Sequence, residues 1–532
     1  MRGPTSGGAN PGSRRRGERR GVVVPALAAL VLAGIGAAGI VFAPSSARAE
    51  DVHVSGSGRV DFNWLRRAPE TASGVEHGAT NLESWFELRA LTGDWDAAAR
   101  LRVHQADGIE DDSDREEIDR RHLAYRGPDV EILAGNFYTT FGNGLILRTL
   151  EQRFVTLNRA DRAFNLDRNL DGVRVRVDHQ RVRMTLLSGT PRRTALSTTA
   201  AGGATDAASG DLLQGGEAVV TPNPRLEAGF AFVRGALASP DVLWEGRERE
   251  DLVSYRLGAR EGAWAGQVEY AEIRAGGGLA RGLGLERGYA RYARFEGAVG
   301  PVGLSAEGKS YKDFGTFPYN QPPTLVRTHE SVLLNRATHV LLPDDERGFQ
   351  IEALYAPGYF TTFIANVAAS DDSRHRRARR FREVFLSART EREGTGAVRV
   401  ELDWSRDRIK FVENRWTTAL EMEGFMNESV SVIGDVELQI EDTAVGDITN
   451  RLVQIAVAKA GAWTIGMTGE HTDDRAKGKR DWLFVSADLR VSDRLDVTLG
   501  YGSRPAGLVC SGGFCFVSPA FDGAEFRLLS RF

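Results

Sequence analysis

The sequence contains little cysteine, which limits the chemistry that its thiols can support. Cys510 and Cys515, in "CSGGFC", are the only cysteines among 532 residues. Two thiols with no histidine nearby cannot complete the tetrahedral ligand set of a zinc site, and their spacing is not that of a redox C-x-x-C motif. If the chain is exported to an oxidising compartment, the pair predicts a disulfide.

The sequence also lacks the motifs of the common enzyme classes. It contains no G-x-S-x-G, H-E-x-x-H or P-loop pattern, and its nine histidines are scattered. We therefore predict no catalytic residue, no metal site, no cofactor and no enzymatic activity. An enzyme that assembles its site from distant loops is the alternative.

Positive charge is concentrated at the N-terminus, in "SRRRGERR". An apolar stretch from Gly21 to Ala43 follows, and then Ala47-Arg48-Ala49, a small-x-small cleavage pattern. These three features predict a cleaved signal peptide over residues 1–49, with residues 50–532 as the mature chain. A retained single-span helix is the alternative, because the apolar stretch is long for a signal peptide.

The mature chain has no excess of positive charge. Cleavage would remove seven arginines and one glutamate, a change of six charges that takes the formal charge from −4 to −10. A mildly acidic exported protein is a poor candidate for nucleic-acid binding, so we predict no nucleic-acid partner.

Long apolar runs are missing after residue 49, where no stretch approaches the ~20 apolar residues of a membrane helix. Short alternating runs take their place. In "AVRVELDWS" at 397–405, apolar and polar residues alternate strictly, and similar runs lie at 172–178, 431–442 and 494–501. A period of two predicts β-strands with one apolar and one polar face.

Tight connections between these runs alternate with long polar ones. The tight ones lie at 92–95, 126–129, 222–225, 299–302, 356–359 and 459–463. The long ones lie at 65–80, 106–115, 139–169, 190–210, 237–247, 313–345 and 503–521. This alternation is typical of outer-membrane barrels, which have short periplasmic turns and long outer loops.

The polar face decides between a barrel and a soluble sandwich. About half of the strand positions are polar over the whole chain, which favours a wide aqueous lumen over a single apolar core. We predict an all-β fold, a large transmembrane antiparallel β-barrel of about 24 strands, within a range of 22–26, in the bacterial outer membrane.

The chain ends in the alternating run "GAEFRLLSRF", which places Phe526, Leu528 and Phe532 on the apolar face. This end resembles the signal that the barrel-assembly machinery recognises, although Ser530 stands where that pattern prefers an aromatic or aliphatic residue. The segments "GNFYTTFGNGLILRT" at 135–149 and "LDRNLDGVRV" at 166–175 are similar to a family of porin-like bacterial outer-membrane β-barrel proteins of unknown function. The resemblance implies the barrel and no substrate or active site.

The connection 139–169 is long and half apolar, with Leu145, Ile146 and Leu147 in its first half. A loop folded into the lumen could bury these residues, whereas strand extensions above the membrane are the alternative. In the lumen, the loop would form a pore constriction with the charged residues Arg148, Glu151, Arg153, Arg159 and Arg162. The connection 313–345 could plug the lumen instead.

Two further polar clusters are candidate binding sites. In "RHRRARRFR" at 374–382, we predict that Arg376, Arg377, Arg379 and Arg380 contact lipopolysaccharide phosphates, with a solvated face as the alternative. The segment from Asp167 to Asp178 contains the D-x-N-x-D-G spacing of a calcium loop, but no helical pattern flanks it. A polar turn that enters a strand is the prediction, and loop-bound calcium is the alternative.

These features together predict a channel that passes a solute or polymer across the outer membrane. A closed structural or binding barrel at the cell surface and an outer-membrane enzyme with a loop-built site are the alternatives. The predicted partners are membrane lipid, lipopolysaccharide and the barrel-assembly machinery, and the sequence does not predict an oligomeric state.

Overall fold

The computed structural model describes residues 52–66, 75–109, 114–155, 164–194, 211–236, 249–275, 287–314, 322–325, 327–339, 345–372, 380–444, 446–511, 514–518 and 520–532. The predicted signal peptide, residues 1–49, lies outside these ranges and stays a prediction.

In the described part of the chain, 24 antiparallel strands form one closed barrel, as the alternation predicts. The first twelve are β1 (His53–Leu65), β2 (Val75–Thr92), β3 (Trp95–Ile109), β4 (Arg115–Arg126), β5 (Val130–Phe137), β7 (Phe164–His179), β8 (Val182–Thr194), β9 (Leu212–Asn223), β10 (Leu226–Ala236), β11 (Arg249–Glu261), β12 (Trp264–Ala275) and β13 (Arg287–Val299). The others are β14 (Val302–Lys312), β15 (Glu346–Gly358), β16 (Thr361–Asp372), β17 (Arg380–Arg392), β18 (Gly396–Asp407), β19 (Val412–Asn427), β20 (Val430–Thr443), β21 (Gly446–Lys459), β22 (Trp463–Thr472), β23 (Asp481–Ser492), β24 (Leu495–Arg504) and β27 (Phe521–Arg531).

The remaining described elements lie in the long connections. Strand β6 (Leu150–Val155) pairs with the first part of β7, and β25 (Gly507–Ser511) and β26 (Phe514–Ser518) form a separate hairpin. A short helix, α1 (Val332–Ala337), lies between β14 and β15. None of the described residues belongs to a helix with the length and hydropathy of a membrane span.

The barrel closes where the last strand pairs with the first. Strand β27 runs antiparallel to β1, with Arg527 opposite Asp61, and Arg527 Nε donates to Asp61 Oδ1 at 2.7 Å. Since side chains alternate along a strand, Phe526 and Leu528 point to the opposite face. Phe532 follows the end of β27.

The two faces of the wall differ as the sequence predicts. On β18, Val400 and Leu402 are 38 % and 47 % exposed, whereas Glu401 and Asp403 are 3 % and 2 % exposed. The apolar exterior suits contact with lipid, and the polar face points into the lumen. The burial of these carboxylates shows that other parts of the chain cover them inside the barrel.

Candidate functional site

The candidate site is the lumen, which two segments of the chain enter from the same end of the barrel. The first, inner segment 1 (residues 139–149), lies between β5 and β6. Phe137 at the end of β5 pairs with Leu170 of β7, and Leu150 at the start of β6 pairs with Arg168 of β7. Strands β5 and β6 therefore share one position in the sheet, and inner segment 1 is an excursion between them.

Inner segment 1 packs on the wall through apolar side chains. Leu145, Ile146 and Leu147 are fully buried and belong to one apolar cluster with Phe141. The inward-facing members of this cluster on the wall are Ala124, Leu133, Phe137, Leu170, Leu187, Leu213, Ala231, Val233, Leu252, Ala271, Ile273, Ala290, Tyr292 and Tyr311. Burial of each large side chain contributes about 1.5–3 kcal/mol, which holds the segment against the wall from β4 to β14.

Two wall glutamates fix the tip of inner segment 1. The backbone N–H of Gly142 donates to Glu217 Oε1 at 2.8 Å, and that of Asn143 donates to Glu269 Oε2 at 2.6 Å. Gly142 has a φ of +57°, and a Cβ there would lie 2.4 Å from Glu269 Oε2. The positive φ favours glycine here, and a Cβ would in addition displace the carboxyl group of Glu269.

Of the predicted constriction residues that the structure describes, only Arg148 lies in inner segment 1. Arg148 lies half-buried in inner segment 1. The backbones of Glu151 and Arg153 belong to β6, and Arg159 and Arg162 lie outside the described residues. The interpretation of 139–169 as a single lumen loop is therefore wrong for residues 150–155 and 164–169, which are strand extensions, because pairing of β6 with β7 provides backbone hydrogen-bond partners there.

Inner segment 2 (residues 327–339) belongs to the competing connection 313–345. It contains α1, which the sequence analysis did not predict. Glu437 of β20 accepts hydrogen bonds from the backbone N–H groups of Val332 and Leu333, at 2.8 and 2.7 Å. A carboxylate at this end satisfies unpaired amides of the first turn.

Wall carboxylates anchor inner segment 2 along its length. Arg336 pairs with Glu470 of β22 at 2.5 Å. The other pairs are Arg327 with Glu352, His329 with Glu383, Ser331 with Glu401 and His339 with Asp407. The anchoring strands are β15, β17, β18, β20 and β22, so this segment covers much of the wall that inner segment 1 leaves uncovered.

The carbonyl groups at the end of α1 also have cationic partners. Lys410, in the connection between β18 and β19, donates to Ala337 O at 3.1 Å and Thr338 O at 2.7 Å. Burial lowers the pKa of Lys410 to about 8, an effect to which the nearby Arg415 adds. A cation at this position complements the unpaired carbonyls of the last turn.

Both histidines of inner segment 2 are buried beside carboxylates. Burial disfavours the charged imidazole of His329, but the charge and hydrogen bond of Glu383 outweigh it and raise the pKa. Burial also disfavours the charged imidazole of His339, but the hydrogen bonds and charges of Asp407 and Glu346 outweigh it and raise the pKa. These two pairs were missed in the sequence, since His329 and Glu383 are 54 positions apart.

The remaining predicted sites are only partly described. Arg376, Arg377 and Arg379 lie outside the described residues, and Arg380 Nε donates to Asp371 Oδ1 at 3.0 Å. The backbone of Cys510 lies opposite that of Cys515 in the β25–β26 hairpin. The disulfide and the lipopolysaccharide contact both stay predictions.

The segment from Asp167 to Asp178 is not a turn that enters a strand. It lies within β7, where Asn169 accepts a hydrogen bond from Asn136 at 2.8 Å and Asp171 pairs with Arg192 at 3.2 Å. In extended backbone, side chains on one face lie about 6–7 Å apart, so they cannot wrap around one calcium ion. In the described ranges no group of three or more His, Cys, Asp or Glu side chains is arranged to hold a metal ion.

A closed barrel with inward-folded segments can be compared with known proteins. Residues 23–363, which are 341 of the 532, match the family described as "Family of unknown function (DUF6029)". The chain belongs to this family. The matched range contains both segments, 135–149 and 166–175, on which the resemblance was based. No curated protein matches the chain.

Several solved structures are similar to this chain in fold. A cryo-EM structure of the E. coli P pilus tip assembly intermediate PapC-PapD-PapK-PapG aligns with a TM-score of 0.50 at 10 % identity, covering 92 % of this chain and 62 % of that chain. The translocation pore of the P pilus usher PapC gives 0.43 at 10 % identity, covering 90 % and 99 %. OccK11 (OpdR) of Pseudomonas aeruginosa gives 0.38 at 12 % identity, covering 68 % and 92 %. At these identities the likeness concerns the fold alone.

Proposed function

We propose that the protein is an outer-membrane channel whose lumen is narrowed by inner segments 1 and 2. The observation that carries this proposal is a closed barrel with an apolar exterior and a polar lumen that the chain itself partly fills. An unobstructed barrel of this size would leave a wide aqueous hole, so internal segments that restrict it are what a selective channel needs.

The charges of the barrel wall determine whether the lumen favours cationic or anionic solutes. By strand register, the inward positions of β17–β20 carry ten carboxylates and three arginines. These are Glu383, Glu391, Glu401, Asp403, Asp407, Glu421, Glu423, Asp435, Glu437 and Glu441, with Arg389, Arg399 and Arg415. This sector favours cationic solutes, whereas Arg148 on inner segment 1 favours anions. Arg148→Ala should therefore shift the reversal potential towards cations.

Planar-bilayer recording of the purified protein tests the channel. We expect ion conductance from the unmodified barrel. Replacement of residues 141–147 or 327–339 by short Gly-Ser linkers should raise the conductance, because each segment occupies part of the lumen. Heat-modifiable migration on gels provides the control that each variant folds.

A closed structural or binding barrel is the second candidate, and the extent to which the two segments cover the wall favours it. In that case the unmodified protein would not conduct, and only the variants without an inner segment would. Absence of conductance from every variant, with the barrel folded, would contradict the channel proposal.

A further inference from the structure

The two histidines of inner segment 2 lie on either side of α1. His329 and His339 are each 2 % exposed. The Nε2 atom of His329 lies 3.2 Å from Glu383 Oε1, and the Nδ1 atom of His339 lies 3.1 Å from Asp407 Oδ2. Each imidazole therefore attaches one end of the segment to the wall.

The surroundings of His329 contain more carboxylates than cations. Glu383 on β17 and both Glu401 and Asp403 on β18 act on its charge. The imidazole of His329 contacts the ring of Phe385 of β17, with ring centroids 4.8 Å apart. The guanidinium of Arg327, which also belongs to inner segment 2, lies over the Phe385 ring. An imidazolium at this position offsets negative charge that the wall holds away from water.

The surroundings of His339 are similar. Asp407 of β18 and Glu346 of β15 face it, the latter at 3.6 Å, and Ser370 Oγ of β16 lies 3.2 Å from Nε2. Its ring stacks on Phe381 of β17. The nearby cations are Lys309 of β14, which pairs with Glu346 at 2.7 Å, and Lys410.

We propose that His329 and His339 make inner segment 2 a pH-dependent gate, held against the wall while both imidazoles are charged and detached when they lose their protons. The gate rests on the proposed channel function, because a detached segment matters only if solutes cross the lumen. The pairs of Arg327 and Arg336 with the wall stay charged at every pH considered, whereas the two histidine contacts near the ends of the segment can lose their charge.

The direction of the pH effect follows from the pKa shifts. Attachment raises the pKa of both histidines, so the stabilisation is complete below the ordinary histidine pKa and is lost as pH rises through the raised values. Lys410 has the opposite effect on attachment. Its pKa is lowered, so its deprotonation at rising pH removes a buried charge and favours the attached state. The gate is therefore closed at mildly acidic pH and opens at alkaline pH.

Hydrogen–deuterium exchange of the purified barrel tests attachment without any transport. The amides of Val332 and Leu333, which donate to Glu437, report on the segment. Between about pH 6 and about pH 8.5, we expect their protection to fall about tenfold after correction for intrinsic exchange. Peptides over residues 141–147 provide an internal reference that should not respond.

Variants identify the groups responsible. In His329→Gln with His339→Gln, protection should be the same at both pH values. His471→Gln is the matched control, since His471 also pairs with an aspartate, Asp481 at 2.7 Å, but lies 40 % exposed outside the lumen segments. If the double variant does not fold, Glu383→Gln serves instead, and it should move the midpoint of the transition to lower pH.

Two exchange results would overturn the gate: equal protection at both pH values in the unmodified protein, or a pH response that persists in the double variant. Conductance measured over the same pH range separates this from the channel proposal. A folded barrel that shows the exchange response but never conducts would refute the channel and leave the pH-dependent attachment standing. A conducting barrel without the exchange response would refute the gate alone.

Discussion

The two inner segments occupy the same lumen but are held by different forces. Inner segment 1 places Leu145, Ile146 and Leu147 in an apolar cluster, with glutamate contacts at its tip. Inner segment 2 is held along its length by carboxylates, from Glu352 to Glu470. Apolar contact is insensitive to pH, whereas carboxylate pairs depend on charge. The comparison indicates a permanent lining on one side and a removable one on the other.

The largest expected effect concerns the apolar attachment. Leu145→Ala with Leu147→Ala should destabilise the packing of inner segment 1 by about 2–5 kcal/mol for each buried leucine, since the cavity adds to the lost burial. Exchange of residues 141–147 should become faster, with little change in residues 327–339. Leu402→Ala, at an exposed wall position, is the matched control. If exchange became equally faster in both segments, they would form one cooperative unit, and the two modes of attachment would not be independent.

Removal of one wall carboxylate should weaken the attachment of inner segment 2. Glu437→Gln keeps the shape of the side chain but has one accepting oxygen instead of two, so one of the N–H groups of Val332 and Leu333 loses its partner, at a cost of about 1–3 kcal/mol. Exchange of these two amides should become faster, while residues 141–147 stay protected. Glu423→Gln, on the neighbouring strand β19, is the control, and an equal effect there would assign the loosening to the net charge of the lumen.

The two segments also differ in how far the sequence could predict them. Alternation predicts the strands and their faces, because a period of two is a local property of each run. Leu145 to Leu147 stand out as apolar residues in a polar connection, so burial of inner segment 1 could be expected. Inner segment 2 gives no such signal, because α1 is too short for a helical period and Val332 lies 105 positions from Glu437. Its partners are defined only once the barrel has closed.

Two glycines with the same φ allow the cost of backbone strain to be distinguished from the cost of steric contact. Gly142 and Gly262 both have a φ of +57°, but only at Gly142 would a Cβ meet another group, Glu269 at 2.4 Å. Each alanine variant should therefore cost about 1–2 kcal/mol of backbone strain, and Gly142→Ala should cost more because Glu269 must move. Exchange of the amide that follows each substituted glycine, Asn143 or Ala263, checks this. If the two alanine substitutions change exchange equally, the Glu269 side chain moves aside without a measurable energetic cost.

The smallest effect is expected at the hairpin beside inner segment 2. The Cδ atom of Arg336 lies 2.8 Å from where a Cβ on Gly507 would be, so the start of β25 packs against the segment. If Cys510 and Cys515 are bonded, the six-residue ring stabilises the hairpin by about 2 kcal/mol through chain entropy, and only part of this reaches α1. Cys510→Ser with Cys515→Ser should speed exchange of residues 332–337 less than Glu437→Gln does, and should leave residues 141–147 unchanged. An effect on α1 as large as that of Glu437→Gln would mean that the hairpin, and not the wall carboxylates, decides whether inner segment 2 stays in place.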